Sequence, residues 1–223
     1  MKTVAIAIDG PAGAGKSTIA RILAKELQYI YVDTGALYRT VGYYMLEHGV
    51  SIDDADAVVK ALPNVEVSLQ FVNGEQQVIL NGENVSGLIR TPAVSMAAST
   101  VSAIPAVRQF LFDLQQNMTK TNNVMMDGRD IGTVVLPWAD VKIFLTASPE
   151  ARARRRFIEL QEKGDPATFE EVLADMKQRD YNDSHRETAP LKQADDAVLA
   201  DTSDITLEES VQLLKSIVKE RLQ

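Results

Sequence analysis

The chain has 223 residues, of which 45% are hydrophobic and 24% charged, so it is long enough to bury the core of one α/β domain with insertions. Its formal net charge of -8 argues against general affinity for nucleic acids, because binding to their phosphate backbones needs a cationic surface. The absence of cysteine excludes disulfides, thiolate nucleophiles and thiolate metal sites.

Residues 10–18, Gly-Pro-Ala-Gly-Ala-Gly-Lys-Ser-Thr, have the spacing of a P-loop between an apolar strand predicted at residues 3–9 and a helix. In such a loop, backbone N–H groups surround phosphate oxygens, and the positive end of the helix dipole points at the same anion. Lys16 would reach the β- and γ-phosphates, and the Ser17 hydroxyl would bind Mg²⁺. The alternative is a glycine-rich turn that binds nothing, which the flanking elements disfavour. The predicted nucleotide-binding residues are Gly10, Pro11, Ala12, Gly13, Ala14, Gly15, Lys16, Ser17 and Thr18.

Strand and helix patterns alternate after the loop. Apolar residues at helical spacing predict a helix over residues 16–27, followed by a strand over 29–32 and a helix over 36–47. Ser51 is the expected N-cap of another short helix. The first strand, helix and second strand form one unit, which predicts a right-handed crossover and parallel strands.

The segment between residues 63 and 90 has a different pattern. Apolar and polar residues alternate there, and two Asn-Gly pairs at 73–74 and 81–82 interrupt the alternation. This pattern predicts successive antiparallel hairpins, and thus a small three-stranded sheet. We expect this sheet to lie as a lobe on the rim of the molecule, the alternative being an extension of the parallel sheet.

The rest of the chain returns to the first pattern. It predicts helices over residues 92–102 and 105–119, strands over 124–127, 141–145 and about 197–200, and a helix over about 149–163 that Ser148 caps. Capping boxes at Thr168 and Thr206 each open a further helix. The fold class is therefore α/β, a P-loop NTPase with a doubly wound parallel sheet and an antiparallel insert.

Acidic residues follow three predicted strands, at Asp9, Asp33 and Asp127, and a further acid follows at Asp130. Because ligands bind at the carboxyl ends of parallel strands, we expect these side chains to converge above the P-loop. Asp127 has the position of an acid that orients Mg²⁺ through water. For any one of them, a role as a turn residue or N-cap is the alternative.

Arginines are numerous for an acidic chain, and their planar guanidinium groups suit bidentate contacts with phosphate. A reaction that joins two nucleotides gathers many negative charges, which favours such a site. For the run 152–156 the alternatives are a solvated helix face and a nucleic-acid patch, and the net charge disfavours the second. The arginines considered are Arg39, Arg90, Arg108, Arg129, Arg152, Arg154, Arg155, Arg156, Arg179 and Arg186.

Six motifs together resemble those of the bacterial cytidylate kinases over nearly the whole chain. They are Asp-Gly-Pro-Ala-Gly-Ala-Gly-Lys-Ser-Thr at 9–18, Asp-Thr-Gly-Ala-Leu-Tyr-Arg at 33–39, Val-Ser-Gly-Leu-Ile-Arg-Thr at 85–91, Asp-Gly-Arg-Asp-Ile-Gly-Thr-Val-Val at 127–135, Leu-Gln-Glu-Lys-Gly at 160–164, and Arg-Asp-Tyr-Asn-Asp-Ser-His-Arg at 179–186. The P-loop alone indicates only nucleotide binding, whereas the combination is specific.

The resemblance implies roles for individual residues. The phosphate of the acceptor nucleotide would be held by Arg39, Arg129 and Arg186, with Thr34 beside them. Its cytosine would be read by Ser99, Arg108 and Asp130. Its ribose would be held by Arg179 and Asp183. Arg152, Arg155 and Arg156 would close over the donor phosphates. The residues expected to act in catalysis are Lys16, Arg129, Arg155 and Arg186. Mg²⁺ would be held by Ser17 and, through water, by Asp127.

The resemblance also implies an organisation and a reaction. Residues 1–35, 120–148 and 165–223 would form the P-loop core, residues 36–119 a monophosphate-binding lobe, and residues 149–164 a helical lid. The reaction would be transfer of the γ-phosphoryl group of ATP, with Mg²⁺, to CMP or dCMP. We expect a cytoplasmic monomer with no nucleic-acid or membrane partner, since no apolar run approaches a membrane-spanning length.

Two rival functions stay open from the sequence. A P-loop kinase for UMP, dCMP, AMP or a non-nucleotide alcohol is opposed by the base-reading set, which rests on the resemblance. A nucleotide-dependent switch is opposed by the absence of an Asn-Lys-x-Asp guanine motif and by the many arginines.

Overall fold

A five-stranded parallel sheet forms the centre of the computed structural model, which describes residues 3–72 and 75–222. Its strands are β1 (Ala5–Asp9), β2 (Ile30–Asp33), β6 (Val124–Gly128), β7 (Val141–Thr146) and β8 (Val198–Asp201), with β3 (Val67–Val72), β4 (Glu75–Leu80) and β5 (Glu83–Asn84) in a separate sheet. The parallel strands run in the order β2-β6-β1-β7-β8. Their side chains are largely buried on both faces, which explains why most of them read as apolar runs.

Helices cover the sheet and connect its strands. The helices are α1 (Lys16–Leu27), α2 (Thr34–Glu47), α3 (Ala55–Ala61), α4 (Pro92–Val101), α5 (Pro105–Asn117), α6 (Pro149–Glu162), α7 (Phe169–His185) and α8 (Leu207–Arg221). On one face, Leu23 of α1 and Leu214 of α8 are fully buried against the strands. On the other face, a π-helical turn, Ile131–Val135, packs its apolar side chains on β1 and β6.

The register of the sheet aligns the carboxyl ends of three strands. Asp33 of β2 lies beside Asp127 of β6, and Asp9 of β1 lies beside Gly128. The loops that follow these strands therefore begin at one edge of the sheet, as in other open parallel sheets that bind ligands there.

A second hydrophobic cluster lies within residues 36–111, between α2 to α5 and the antiparallel sheet β3-β4-β5. Helices α2 and α4 cross closely because Gly42 has no side chain; a Cβ there would lie 2.9 Å from the backbone nitrogen of Ala98. This sheet does not join the parallel one within the described residues, so the predicted separate three-stranded antiparallel sheet is confirmed. The Asn73-Gly74 turn lies outside the described residues, whereas Asn81 and Gly82 join β4 to β5.

Helices α6 and α7 form a hairpin with a small core of their own. Ala153 of α6 packs against Val172 and Met176 of α7, and Phe157 and Phe169 meet edge to face. The capping boxes at Thr168 and Thr206 are both present, and Ser148 accepts a hydrogen bond from the backbone of Ala151.

One cap prediction is wrong. The short helix α3 begins after Asp54, whose carboxylate accepts a hydrogen bond from the backbone of Ala57, so Ser51 is not its N-cap. A carboxylate three residues before a backbone N–H fits an N-cap as well as a hydroxyl does, and it also favours the positive helix end.

Of the helices in residues 3–72 and 75–222, none is long and apolar enough to cross a membrane.

Candidate active site

A cavity of about 540 Å³ lies between the carboxyl edge of the parallel sheet, the 36–111 cluster and the α6–α7 hairpin. Its wall brings together P-loop residues, aspartates and arginines. From the predicted set, the residues in this wall are Ala12, Gly13, Lys16, Ser17, Thr34, Arg39, Ser99, Arg108, Asp127, Arg129, Asp130, Arg156, Arg179, Asp183 and Arg186. Residues that are distant in sequence thus share one site.

The P-loop depends on a glycine at its first position. Gly10 has a φ of +148°, and a Cβ on it would lie 1.9 Å from the carbonyl oxygen of Leu145, so no side chain fits there. Pro11, Ala14, Gly15 and Thr18 shape or flank the loop without entering the cavity wall, and Thr18 is exposed.

Lys16 is buried, and its Nζ donates to the carbonyl oxygen of Pro11 at 2.7 Å. Burial lowers the pKa of its ammonium group, and the nearby Arg129 guanidinium lowers it further. A phosphate oxygen would be a stronger acceptor for this ammonium group than the neutral carbonyl that it now contacts.

Asp127 receives donors from three directions. Its Oδ2 accepts from Ser17 Oγ at 2.9 Å, its Oδ1 accepts from the Tyr31 hydroxyl at 2.8 Å, and its carbonyl oxygen accepts from Thr34 Oγ1 at 2.7 Å. Burial raises the pKa of Asp127, and the neighbouring Asp33 raises it further. The hydroxyl and carboxylate oxygens fit Mg²⁺, which binds proteins through few oxygen ligands and keeps several waters. Within the described residues no group of three or more His, Cys, Asp or Glu could hold a metal by itself.

Asp9 does not join the other acids in the cavity wall, which corrects the expectation that all of them converge there. Its carboxylate is buried and accepts hydrogen bonds from the backbone nitrogens of Ile131 and Gly132, both at 2.7 Å. Burial raises its pKa to about 6 although these two donors oppose the shift. Asp9 therefore anchors the π-helical turn immediately after Asp130 instead of facing a ligand.

Asp33 combines two roles. Its Oδ1 caps α2 through the backbone of Ala36, and its Oδ2 forms an ion pair with Arg39 at 2.7 Å. Gln76, on β4, forms two hydrogen bonds with the backbone of Asp33. Its Oε1 accepts from the Asp33 nitrogen at 2.9 Å, and its Nε2 donates to the Asp33 carbonyl oxygen at 3.3 Å. The antiparallel insert is thereby bonded to the edge strand of the core.

The cavity wall also contains a buried ion pair between Arg108 and Asp130. Arg108 also donates to the carbonyl oxygen of Ser102, and the second oxygen of Asp130 lies 3.6 Å from Arg186. Ser99 lies in the same wall. A carboxylate and a guanidinium side by side form a surface that both accepts and donates hydrogen bonds.

Several cationic groups lie close together in the cavity wall. Arg129 pairs with Asp183 at 2.8 Å, and burial together with Arg129 lowers the pKa of Arg179. Two buried guanidinium nitrogens, Nε of Arg39 and Nη2 of Arg186, have no hydrogen-bond partner in the part of the chain that the structure describes. Nη2 of Arg186 has only the 3.6 Å ion pair with Asp130, so both nitrogens can still take a hydrogen-bond acceptor such as an anion.

Of the three lid arginines, only Arg156 lies in the cavity wall. Arg152 is buried, donates to the carbonyl oxygens of Ala12 and Ala147, and pairs with Asp180. Arg155 donates to Thr202 in the loop after β8. In this structure the guanidinium groups of Arg152 and Arg155 are bonded to protein carbonyls, and their contact with the donor phosphates stays a prediction.

Three residues of the site, Tyr31, Gln76 and Tyr38, were not predicted from the sequence. Tyr38 lies in the cavity wall with the Arg108 guanidinium 5.5 Å above its ring. For Tyr31, a signal was present: it lies two residues before Asp33 on a strand next to the one that ends in Asp127, on the same face as Asp33. The contacts of Gln76 depend on how the insert docks, which has no local signal.

Comparison with known proteins gives the family. A sequence model described as "Cytidylate kinase" matches residues 6–220. A cytidylate kinase of Caldicellulosiruptor saccharolyticus is 50% identical over 95% of this chain and 94% of its own, and one of Bacillus cereus is 48% identical over 97% and 96%. A crystal structure of an uncharacterized protein from Eubacterium ventriosum, 11% identical over 97% of this chain and 99% of its own, has the same fold with a TM-score of 0.54. The chain belongs to the cytidylate kinase family.

Proposed function

We propose that this protein transfers the γ-phosphoryl group of ATP, with Mg²⁺, to CMP and dCMP, giving ADP and CDP or dCDP. The observation that carries the proposal is one cavity whose wall includes the P-loop, the Arg108–Asp130 pair and several further arginines. Direct transfer between two bound nucleotides requires that the binding groups for both share one site. The acceptor phosphate is itself a nucleophile, so positioning and charge neutralisation provide the catalysis.

The donor phosphates are assigned to the P-loop. Lys16 would exchange its bond with the Pro11 carbonyl for phosphate oxygens, where its charge offsets that of the transferred group. Ser17 would bind Mg²⁺ directly, and Asp127 would hold it through water. When bound, Mg²⁺ supplies charge neutralisation at the β- and γ-phosphates.

The acceptor phosphate is assigned to Arg39, Arg129 and Arg186. The support is Nε of Arg39 and Nη2 of Arg186, which are buried and make no hydrogen bond to the described residues. A phosphate between them would satisfy both groups with charge-assisted hydrogen bonds. Thr34, whose hydroxyl is bonded to the carbonyl oxygen of Asp127, lies at the same edge of the sheet.

The base is assigned to the part of the cavity wall that contains the Arg108–Asp130 pair. Asp130 can accept from the exocyclic amine of cytosine, and Arg108 can donate toward N3 and O2, while Ser99 adds a hydroxyl. Uracil has a carbonyl where cytosine has the amine, so it would leave Asp130 without a donor. Asp183 and Arg179 would hold the ribose hydroxyls, and Asp183 is already oriented by Arg129.

The boundaries of the moving parts are also proposals. Residues 36–119 form the monophosphate-binding lobe, supported by the separate hydrophobic cluster of residues 36–111. Residues 149–164 provide the lid, whose helix α6 packs on α7 of the core through a small hydrophobic cluster. Closure would place Arg156 near the donor and exclude water, which suppresses ATP hydrolysis. We further propose a cytoplasmic monomer.

The test is ADP formation in a coupled assay with CMP, dCMP, UMP, AMP or no acceptor, run in parallel. We expect turnover that depends on CMP or dCMP and a low rate without acceptor. Lys16→Met serves as a control for contaminating kinases, since it removes the ammonium group and keeps the chain length. Equal rates with UMP would contradict the role of Asp130, and hydrolysis that needs no acceptor would favour a nucleotide-dependent switch.

A further inference from the structure

The carboxylate of Asp127 is held from both sides. Ser17 donates to Oδ2 at 2.9 Å, and the hydroxyl of Tyr31 donates to Oδ1 at 2.8 Å. Asp127 and Tyr31 are 4% and 7% exposed, so water does not compete freely for these oxygens. Each carboxylate oxygen thus has one defined donor, and together the two donors fix the plane of the group.

The position of Tyr31 follows from the strand register. Tyr31 of β2 lies beside Met125 of β6, two residues before the level of Asp127, and its ring is packed in the core under α1. The guanidinium of Arg21 lies 5.5 Å from the centre of the ring. A tyrosine can bury its ring and still reach a polar partner at the edge of the core, which a serine at this position could not do.

We infer that Tyr31 is a positioning residue that sets the orientation of Asp127 for its water-mediated contact with Mg²⁺. Without the hydroxyl, the carboxylate can turn about its Cβ–Cγ bond, and Lys16 is the cation whose charge already acts on it. A turned carboxylate would no longer be oriented beside Ser17 for Mg²⁺, whereas the contacts of the nucleotide with the P-loop would be unaffected. The inference rests on the proposed function, because that proposal assigns the Mg²⁺-nucleotide complex to Ser17 and Asp127.

The experiment measures ADP binding by titration calorimetry, with Mg²⁺ and with EDTA, for the wild type, Tyr31→Phe and Tyr29→Phe. Tyr29 is the matched control, because it packs against the same cluster and makes no hydrogen bond to Asp127. We expect Tyr31→Phe to lower the gain in affinity from Mg²⁺ about tenfold, as for other groups that orient metal ligands. Its affinity in EDTA should stay within about twofold of the wild type, and Tyr29→Phe should change neither value.

A double-mutant cycle decides whether Tyr31 acts through Asp127. In the Asp127→Asn background, Tyr31→Phe should have no further effect on the gain from Mg²⁺. Additive effects of the two substitutions on the gain from Mg²⁺ would overturn the inference. It would also be overturned if Tyr31→Phe kept the full gain from Mg²⁺ and only lowered the melting temperature in EDTA, because Tyr31 would then contribute packing alone. A wild type with no gain from Mg²⁺ would instead overturn the proposed metal site, which keeps the two failures distinguishable.

Discussion

The P-loop region and the acceptor region of the cavity are built in different ways. In the P-loop region, backbone groups and short side chains are fixed by tertiary contacts, as in the approach of Gly10 to Leu145 and the bond from Ser17 to Asp127. In the acceptor region, long arginine side chains are paired with acids, as in Arg108 with Asp130 and Arg129 with Asp183. The first region is shaped by sterics and the second by charge.

This difference determines what a substrate must do in each region. In the proposed function, a donor phosphate would enter a loop whose backbone conformation is already set, so little rearrangement would accompany binding. An acceptor would have to replace ion pairs that exist without it, such as that between Arg39 and Asp33. We therefore expect substitutions in the P-loop region to affect folding, and those in the acceptor region to affect rate and specificity.

The largest effect is expected from Gly10→Ala. The added methyl group would overlap the Leu145 carbonyl, and we expect the free energy of unfolding to fall by more than about 4 kcal/mol, with loss of nucleotide binding. Urea unfolding and ADP binding measure the two effects. Gly87→Ala is the control, because nothing lies within 4 Å of the position that its methyl group would take. A Gly10→Ala protein of normal stability would contradict the steric account.

Next in size is Arg129→Ala. It should reduce kcat by about 10³-fold, because a guanidinium that neutralises transferred charge is removed. The melting temperature should hardly change, because loss of the Asp183 pair is offset by relief of the repulsion with Arg179. Arg154→Ala provides a control at an exposed arginine outside the cavity wall. Unfolding of the Arg129 variant would show that this residue is structural.

A pH effect is expected at Asp9, which lies directly before the P-loop and whose carboxylate holds the turn that follows Asp130. Its pKa of about 6 in the folded state exceeds the ordinary value of 3.8, so the folded protein binds the additional proton. Stability from this group is complete below pH 3.8 and is lost as pH rises through 6, a change of about 3 kcal/mol. We expect the wild type to gain stability relative to Asp9→Asn as pH falls from about 7 to about 5, measured by urea unfolding. A constant difference would refute the shift.

The smallest effect is expected from Asp130→Asn. An amide can donate to the carbonyl of uracil, so kcat/KM for CMP should fall about 10²-fold while the preference for CMP over UMP shrinks. The buried Arg108 loses its ion pair, and some loss of stability is expected. The ratio of the two acceptors, measured on one preparation, does not depend on the folded fraction. An unchanged ratio would remove Asp130 from base recognition.

Local patterns predicted much of the fold. The strand, loop and helix around Lys16 and the capping boxes at Thr168 and Thr206 follow from neighbouring residues, and each was predicted correctly. The choice of Ser51 as a cap failed because two cap residues compete within four positions.

The site was less accessible to prediction because its details depend on distant contacts. The sequence placed an acid at Asp9, but its partners, the backbone nitrogens of Ile131 and Gly132, lie more than 120 residues away. The same holds for Arg152, whose partner Ala12 belongs to the P-loop. The residue types show that these side chains are polar and need hydrogen-bond partners, whereas only the packing decides which partner each one contacts.

The contacts of Arg152 bear on the proposed closure of the lid. Its guanidinium joins the first turn of α6 to the P-loop carbonyl of Ala12, so in that closure this end of the helix would act as a pivot. The 14 residues of α6 extend about 20 Å from it at ~1.5 Å per residue, and a rotation of about 10° would move the far tip by about 3.5 Å. The helix would then be displaced least beside the P-loop and most at its tip.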